Sequence, residues 1–144
     1  MEITVKLSKQ YKLSENFTLY ELLHSDTAIA KNIIHLQLGI TEKEILNLKR
    51  LCENVLQPLR DHVKVPVRIN SGYRSLPLNT LINGSKRSDH LQANAADIWC
   101  SKMPEAWEFL KTLEFRQLIK YGDFRFIHIS HVHTDNKKQI LELK

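Results

Sequence analysis

The sequence predicts an α+β domain with a small sheet. Two observations support this class: apolar residues recur at helical intervals between roughly residues 42 and 62, and three later segments have the composition of strands. The composition bears on the number of domains, because 144 residues with 42% hydrophobic and 26% charged side chains can form one packed core but leave little room for a second. We therefore expect residues 1–144 to form a single domain.

Helix starts are marked by caps and prolines. Thr18–Glu21 and Thr41–Glu44 both have the spacing of a capping box, in which the Thr caps the helix and the Glu returns to the backbone. The second box opens a central helix over roughly residues 42–62, and Pro77 and Pro104 suit the first turns of two later helices. The apolar stripe of the central helix comprises Ile45, Leu48, Leu51, Cys52, Val55, Leu56 and Leu59.

Three strands are predicted after the central helix, over residues 67–71, 95–99 and 124–130. The second follows a polar, turn-rich stretch over residues 83–94, which we expect to be a loop. Helices followed by strands with helices between them are what an α+β domain requires. Alternation along the third strand places on one face Phe124, Phe126, His128 and Ser130.

Composition and charge exclude several classes of protein. Cys52 lies on the helical stripe and Cys100 follows an apolar strand, so both are interpreted as small buried hydrophobes rather than as a disulfide or a metal pair. No apolar run approaches the roughly 18 to 20 residues that a membrane-spanning helix needs, and the start MEITVKLSKQ lacks the apolar stretch of a secretory signal. We therefore expect synthesis in the cytoplasm as a soluble protein without an encoded export route. The net charge of +5 favours an anionic partner, but the basic residues are more scattered than in a nucleic-acid groove.

His90, Asp97 and His128 are the candidate metal ligands. His90 and Asp97 flank a loop that enters a strand, and His128 lies on another strand. Two imidazoles and one carboxylate suit a catalytic zinc, because they leave a fourth coordination position for water. The spacing alone leaves a second interpretation open, since a chain with seven histidines readily offers such triples and an Asp at a strand start is commonly a hydrogen-bonding turn residue.

Several motifs, in the same order, resemble those of the zinc D-Ala-D-Ala carboxypeptidases and peptidoglycan endopeptidases of peptidase family M15. The resemblance is strongest to the small stand-alone domain found in phage and bacterial sequences. It rests on SGYR at residues 71–74 and on SDHLQANAAD at residues 88–97, where the family has S-x-H-x-x-G-x-A-x-D before a final His in a strand. The resemblance covers about residues 16–139. Further matching segments are NFTLYEL at 16–22, SDTA at 25–28, LQPLRDH at 56–62, FRQLI at 115–119 and FIHIS at 126–130.

The resemblance implies a Hedgehog/DD-peptidase-like zinc domain, in which a small antiparallel sheet packs against helices. It also implies that His90, Asp97 and His128 hold Zn²⁺. Arg74 would then stabilise the oxyanion at the scissile carbonyl or bind a terminal carboxylate, because a guanidinium offers charged donors in a fixed plane. Ser88 would orient the bound peptide or the loop that carries His90.

Departures from the family's motifs bear on the site. Ala93 stands where the family usually has Gly, so we expect a strained positive φ there or a differently bent loop. The family's acidic residue after FDQLI, the expected general base, falls on or near Tyr121, whose phenol is a poor base at neutral pH. Other branches carry the acid at the position of Arg125. Asp123 is the nearest carboxylate and our candidate base, although strand alternation places it on the face opposite His128 unless the turn begins after it.

Two further features concern the same region. Arg116 replaces the Asp of FDQLI. His131 and His133 point away from His128 in an unbroken strand, so we interpret them as exposed strand-end histidines. Either could supply the base if the strand ends at Ser130.

The resemblance implies a zinc metallopeptidase that cleaves a peptide bond in the stem or cross-bridge of peptidoglycan. It would be a phage lysin or virion-associated enzyme that reaches the cell wall by a lysis or virion route. We expect peptidoglycan peptides as partners, no nucleic acid, and a monomer. The main alternative is a non-catalytic, zinc-containing cell-wall, peptide-binding or phage structural module that has lost the base. A nucleic-acid-binding protein is the third hypothesis, and it predicts salt-dependent DNA binding rather than stoichiometric metal.

Overall fold

The computed structural model describes residues 3–144, so residues 1 and 2 of the predicted domain lie outside the described residues. Helices are combined with a two-stranded and a five-stranded sheet, which confirms the predicted α+β class. The strands are β1 Lys12–Ser14, β2 Phe17–Thr18, β3 Arg68–Ser71, β4 Ala95–Trp99, β5 Gln117–Tyr121, β6 Phe126–Ser130 and β7 Gln139–Leu143. The helices are α1 Val5–Gln10, α2 Leu19–Leu23, α3 Asp26–Ala30, α4 Ile34–Gln37, α5 Glu42–Leu51, α6 Gln57–Val63, α7 Leu76–Leu81 and α8 Met103–Leu110.

The larger sheet has the strand order β3-β4-β6-β5-β7. The pairings β3-β4, β4-β6 and β6-β5 are antiparallel, in agreement with the expected small antiparallel sheet. The edge strand β7 pairs with β5 in the parallel direction. The strands predicted over 67–71 and 95–99 correspond to β3 and β4. The strands β5 and β7 were not predicted. β5 mixes apolar and polar side chains, and the side chains of β7 are mostly exposed.

The predicted strand over residues 124–130 begins two residues later, at Phe126. Phe124 has a φ of +59° and Gly122 a φ of +60°, so the backbone turns before β6 starts. Positive φ is uncommon outside Gly, Asn and Asp, and a Phe in this conformation is not foreseeable from strand propensity. Phe124 therefore does not share the face of His128 in the way that simple alternation predicts.

Both predicted capping boxes are present. Thr18 accepts a hydrogen bond from the Glu21 backbone at the start of α2, and Thr41 accepts one from Glu44 at the start of α5, with the Glu side chains returning to the cap. The central helix predicted over roughly 42–62 is α5 and α6 joined by a π-helical turn, Cys52–Leu56. Pro58 explains the interruption, because its ring crowds the carbonyl four residues earlier and a wider turn relieves that contact.

The two faces of the five-stranded sheet have different roles. Alternate side chains on one face are fully buried in the apolar core with the stripe of the central helix. These sheet residues are Ala96, Ile98, Leu118, Ile127 and Ile129. The residues between them point to the opposite face, which therefore carries polar side chains without interrupting the core. Cys52 and Cys100 are buried free thiols as predicted, and burial raises the pKa of the Cys52 thiol, which keeps it neutral.

Within residues 3–144, no helix combines the length and the apolar character needed to cross a membrane.

Candidate metal centre

Strand register places Asp97 and His128 side by side. Asp97 of β4 is the direct partner of His128 of β6, and Ile119 of β5 is the partner of His128 on its other side. His90 comes from a short 3₁₀ helix, Asp89–Gln92, which precedes β4. The three side chains meet on the polar face of the sheet, and none is more than 9% exposed.

Two imidazole nitrogens approach one carboxylate oxygen. His90 Nε2 lies 3.2 Å from Asp97 Oδ1, and His128 Nδ1 lies 2.9 Å from the same oxygen. The ring centroids of the two histidines are 5.2 Å apart and the rings are steeply inclined to each other. One ligand atom from each residue lies within 4.8 Å of the other two, so the group could hold a metal ion.

The contact of His90 with the backbone fixes its tautomer. Its Nδ1 lies 2.7 Å from the carbonyl oxygen of Gly72, which can only accept a hydrogen bond, so Nδ1 carries the proton. In neutral His90 the Nε2 lone pair then faces the Asp97 carboxylate, and two acceptors oppose each other. A cation between them removes this repulsion, and a backbone acceptor on the far nitrogen is how metal-bound imidazoles are usually oriented.

His128 gives a second indication that the donor set suits a metal. Its Nε2 is buried and has no hydrogen-bond partner among residues 3–144, while Nδ1 faces Asp97. A buried nitrogen without a partner costs free energy. Hydrogen bonding within the protein therefore does not account for a histidine at this buried position. Two imidazoles and one carboxylate match the ligand set of an open zinc site. The residues therefore fit the ion that the sequence predicts.

The Asp97 carboxylate is anionic throughout the neutral pH range. Burial by itself raises its pKa, but when the two imidazoles are protonated, the hydrogen bonds that His128 and His90 donate and the charges of both rings lower the pKa well below its usual range. Its second oxygen, Oδ2, lies 3.2 Å from Nη2 of Arg74. Asp97 thus serves both the metal centre and the arginine of the SGYR motif.

Arg74 is held by three side chains. Besides Asp97, its Nε donates to Ser71 Oγ at 3.1 Å and its Nη1 donates to Asn79 Oδ1 at 3.3 Å. Burial lowers the pKa of Arg74, and the charges of Asp97 and Tyr121 oppose that effect. A guanidinium remains charged at neutral pH, so Arg74 provides a fixed positive charge beside the metal ligands.

Asn79 and Gly84 are positioning residues to which the sequence analysis assigned no role. Asn79 Nδ2 donates to the Ser85 carbonyl at 3.0 Å, while its Oδ1 accepts from Arg74. A Cβ at Gly84 would lie 2.1 Å from Asn79 Oδ1, so only glycine allows this approach. The available signal was that LN at residues 78–79 and GS at residues 84–85 also match the motifs of the family that the sequence resembles.

The SGYR segment is also anchored to the N-terminal helices. A Cβ at Gly72 would lie 2.4 Å from the Leu22 carbonyl oxygen, and Tyr73 donates its N–H to that oxygen. The buried Gln37 donates to the carbonyls of Leu23 and Tyr73 and accepts from the Ser75 N–H. These contacts hold the Gly72 carbonyl in place for His90. They join residues far apart in the sequence, so no local pattern indicates them.

Ser88 and Ala93 bracket the His90 turn. Ser88 Oγ accepts the His90 N–H at 3.2 Å and therefore caps the short helix, while its side chain also borders the cavity described below. Ala93 has a φ of +60° and is fully buried. This confirms the expected strained positive φ where the family usually has Gly.

A cavity of about 510 Å³ opens over the metal ligands. Aromatic side chains from β5 and β6 border it, and the rings of Tyr121 and Phe126 are stacked with centroids 4.3 Å apart. Its basic and acidic lining residues are Arg74, Arg87, Arg116, Lys137, Asp89 and Asp97. An extended peptide could therefore lie across the polar face of the sheet beside the ligands.

The expected general base is not brought to this cavity. Asp123 is exposed in the turn between β5 and β6 and is not among the residues that line the cavity. The turn begins at Gly122, before Asp123, so the condition under which Asp123 would share the face of His128 is not met. Tyr121 lines the cavity in the place of the family's acid, and burial together with the charge of Asp97 raises the pKa of its phenol.

His131 and His133 do not line the cavity either. β6 does end at Ser130, but His131 is buried against Asn136, with its Nε2 3.4 Å from Asn136 Nδ2. The expectation that His131 is exposed is therefore wrong, because the chain folds back over it, whereas His133 is exposed. Burial lowers the pKa of His131.

Comparison with known proteins agrees with this geometry. A search of the curated proteins finds no match. A family model described as Peptidase M15 matches residues 15–135. The peptidases of that family are metal-dependent, and the buried group of His90, Asp97 and His128 could bind the metal. Because the match spans most of the sequence and includes every residue of the metal centre, the chain belongs to the peptidase M15 family.

Proposed function

We propose that the protein is a zinc peptidase that hydrolyses a peptide bond in the stem or cross-bridge of peptidoglycan. The observation that carries the proposal is the approach of His90 Nε2 and His128 Nδ1 to Asp97 Oδ1, beside a fixed Arg74 and beneath an open cavity. The positive net charge suits an anionic cell-wall substrate. Release through a phage lysis or virion route is part of the same proposal.

His90, Asp97 and His128 would hold the zinc. Bound zinc would lower the pKa of a water ligand toward ~7 and polarise the scissile carbonyl. Arg74 presents its charged donors next to the ligands, where they can stabilise negative charge that develops on the carbonyl oxygen. The hydrogen bond from His90 to Gly72 keeps the imidazole oriented throughout.

Proton transfer is the step with the least support from the side chains. Among residues 3–144, two carboxylates line the cavity, and of these Asp97 belongs to the metal centre while Asp89 is paired with Arg116. Tyr121 stands where the family carries its acid. This observation favours a second candidate function, a zinc-containing cell-wall or peptide-binding module without turnover.

Hydrolysis of purified muropeptides separates the two functions. The zinc-loaded protein is expected to cleave a stem or cross-bridge peptide, as measured by chromatography and mass spectrometry, and to stop after chelation. Arg74→Lys should retain zinc but lower kcat/KM by about 100- to 1,000-fold, because an ammonium cannot reproduce the planar donor set. Binding of muropeptides without cleavage by the fully loaded protein would favour the second function.

A further inference from the structure

Positive charge exceeds negative charge among the residues that line the cavity. The lining includes four cationic side chains and two carboxylates, and Arg74 and Asp97 are paired with each other at the metal centre. The remaining lining charges are those of Arg87, Arg116 and Lys137, against one carboxylate, Asp89. We call the three basic residues the cationic subsite. Neither Arg87 nor Lys137 has an ion-pair partner within residues 3–144.

Strand register gives the position of this subsite relative to the metal ligands. Gln117 pairs with Ser130 and with Gln139, one same-face step along the sheet from Ile119 and His128. Two residues of a strand span about 6.6 Å. Arg116 directly precedes Gln117, and its side chain borders the cavity beside Asp89. A substrate group that contacts Arg116 is therefore distinct from the peptide bond at the metal ligands.

Arg116 is oriented but still has free donors. Its Nε lies 3.6 Å from Asp89 Oδ2 and its Nη1 lies 3.7 Å from Asp135 Oδ2, so both contacts are ion pairs that are too long for hydrogen bonds. The guanidinium donates no hydrogen bond within residues 3–144, and its side chain is 34% exposed. Nearby, Gln117 Nε2 donates to Gln139 Oε1, which leaves the N–H groups of Gln139 available. A planar fork with unfilled donors matches a carboxylate.

We propose that the cationic subsite binds a carboxylate of the substrate peptide other than one at the scissile bond. The protein then selects peptides with a free carboxylate at that position over the same peptides with a carboxamide. Arg116 is the principal donor, and Arg87 and Lys137 add charge. The inference rests on the proposed function for its substrate class, but binding of the peptide can be tested without turnover.

The experiment compares one fluorescein-labelled stem peptide in two forms, with its second-residue carboxylate free or amidated. Anisotropy is read within the first minute after mixing with zinc-loaded protein, and hydrolysis is followed separately by chromatography. The parent protein is expected to bind the free carboxylate about tenfold more tightly, which corresponds to one charge-assisted contact. The double variant with Arg116→Gln and Lys137→Gln should lose this preference while binding the amidated peptide within twofold of the parent.

Lys138→Gln is the matched control. Lys138 is adjacent to Lys137 and exposed, but it lies over the Phe115 ring and does not line the cavity, so this variant should retain the preference. If the double variant fails to fold by circular dichroism, Lys137→Gln and Arg87→Gln change only exposed side chains, and each should reduce the preference.

The outcomes for the subsite and for the proposed function are distinct. Equal binding of the two peptides by the parent protein would overturn the subsite even if both are hydrolysed. A tenfold preference that the double variant loses would support the subsite even if neither peptide is cleaved, in which case only the peptidase proposal fails. Salt-sensitive binding of a duplex DNA oligonucleotide that is lost in the double variant, with no preference between the peptides, would also overturn it.

Discussion

The three metal ligands His90, Asp97 and His128, which we call the metal-ligand row, are held very differently from the turn between β5 and β6. In the row, Asp97 and His128 each have a partner strand on both sides, and their side chains are buried. In the turn, Gly122 and Phe124 both have positive φ, and Asp123 is exposed. Central strands fix each side chain through two sets of ladder hydrogen bonds, whereas a turn fixes its side chains only through its own backbone.

This difference separates two parts of the chemistry. Asp97 and His128 would move to the core face of the sheet if the register of their strands shifted by one residue. The apolar residues that alternate with them would then lose their place in the core, so the hydrophobic pattern fixes the register and with it these two ligands. The proton-transfer group depends on which residue faces the cavity where β5 ends. In this protein that residue is Tyr121. Ligands can therefore persist in a fold while the base changes, and the two parts can be tested independently.

Loss of a metal ligand is the largest expected effect. His128→Ala should abolish stoichiometric zinc binding, measured by elemental analysis, because the row then supplies only one imidazole and one carboxylate. Chelation of the parent protein should lower its stability by about 4 kcal/mol if the ion is present at 1,000 times its Kd, and should lower Tm by roughly 10 °C.

The matched control for His128→Ala is His131→Gln. His131 is also a buried histidine near the end of β6, but it contacts Asn136 and does not line the cavity. Its replacement should leave zinc content unchanged. Equal zinc loss in the two variants would show that the buried row is not the binding site.

Substitutions around the turn test where the base lies. Tyr121→Glu places a carboxylate on the cavity face and should raise kcat by about tenfold or more, since a well-placed general base contributes 10²–10⁴-fold. Asp123→Asn should change kcat by less than twofold, because Asp123 is exposed and outside the cavity. A 100-fold loss in Asp123→Asn, with zinc content and circular dichroism unchanged, would restore Asp123 as the base and contradict the contrast between row and turn.

The same contrast explains how much could be predicted from the sequence. The β4 and β6 strands and the ligand residues on them were predicted because short apolar runs and separated motifs mark them. The strand β7 was missed because its edge position leaves most of its side chains exposed, so little hydrophobic pattern remains. The place of Asp123 depended on a turn in which Phe124 adopts a conformation that propensity disfavours. The anchor at Gln37 joins segments that no local pattern relates.

We expect the stability of the protein to depend on pH through His131, a buried histidine that is not a metal ligand. Burial, together with the charges of His133 and Arg50, lowers the pKa of His131, although a backbone hydrogen bond and Glu114 oppose this. The unfolded chain then binds a proton below pH ~6.5 that the native protein resists, so the free energy of unfolding falls as the pH falls below that value. In His131→Gln, Tm should fall less between pH 7.5 and pH 5.5 than in the parent. Parallel Tm profiles for the two proteins would contradict this assignment.

The smallest effects concern two left-handed residues, one within the metal-site loop and one far from it. Ala93 has a φ of +60° and is fully buried between the ligands, and Lys64 has a φ of +58° at the exposed end of α6. Glycine relieves the left-handed strain of about 1–2 kcal/mol, but it costs about 0.5–1 kcal/mol through the freer unfolded chain. Lys64→Gly should therefore stabilise the protein by about 0.5–1 kcal/mol in denaturant unfolding.

Ala93→Gly gains the same relief but also loses a buried methyl group, which is worth about 0.8 kcal/mol. Its net effect on the free energy of unfolding should lie near zero, about 0.8 kcal/mol below that of Lys64→Gly. A gain in Ala93→Gly equal to or larger than that in Lys64→Gly would mean that the Ala93 methyl is itself strained in the loop. The loop that carries His90 would then resemble the turn before β6, and the contrast between a tightly held metal centre and a loosely specified turn would have to be redrawn at that residue.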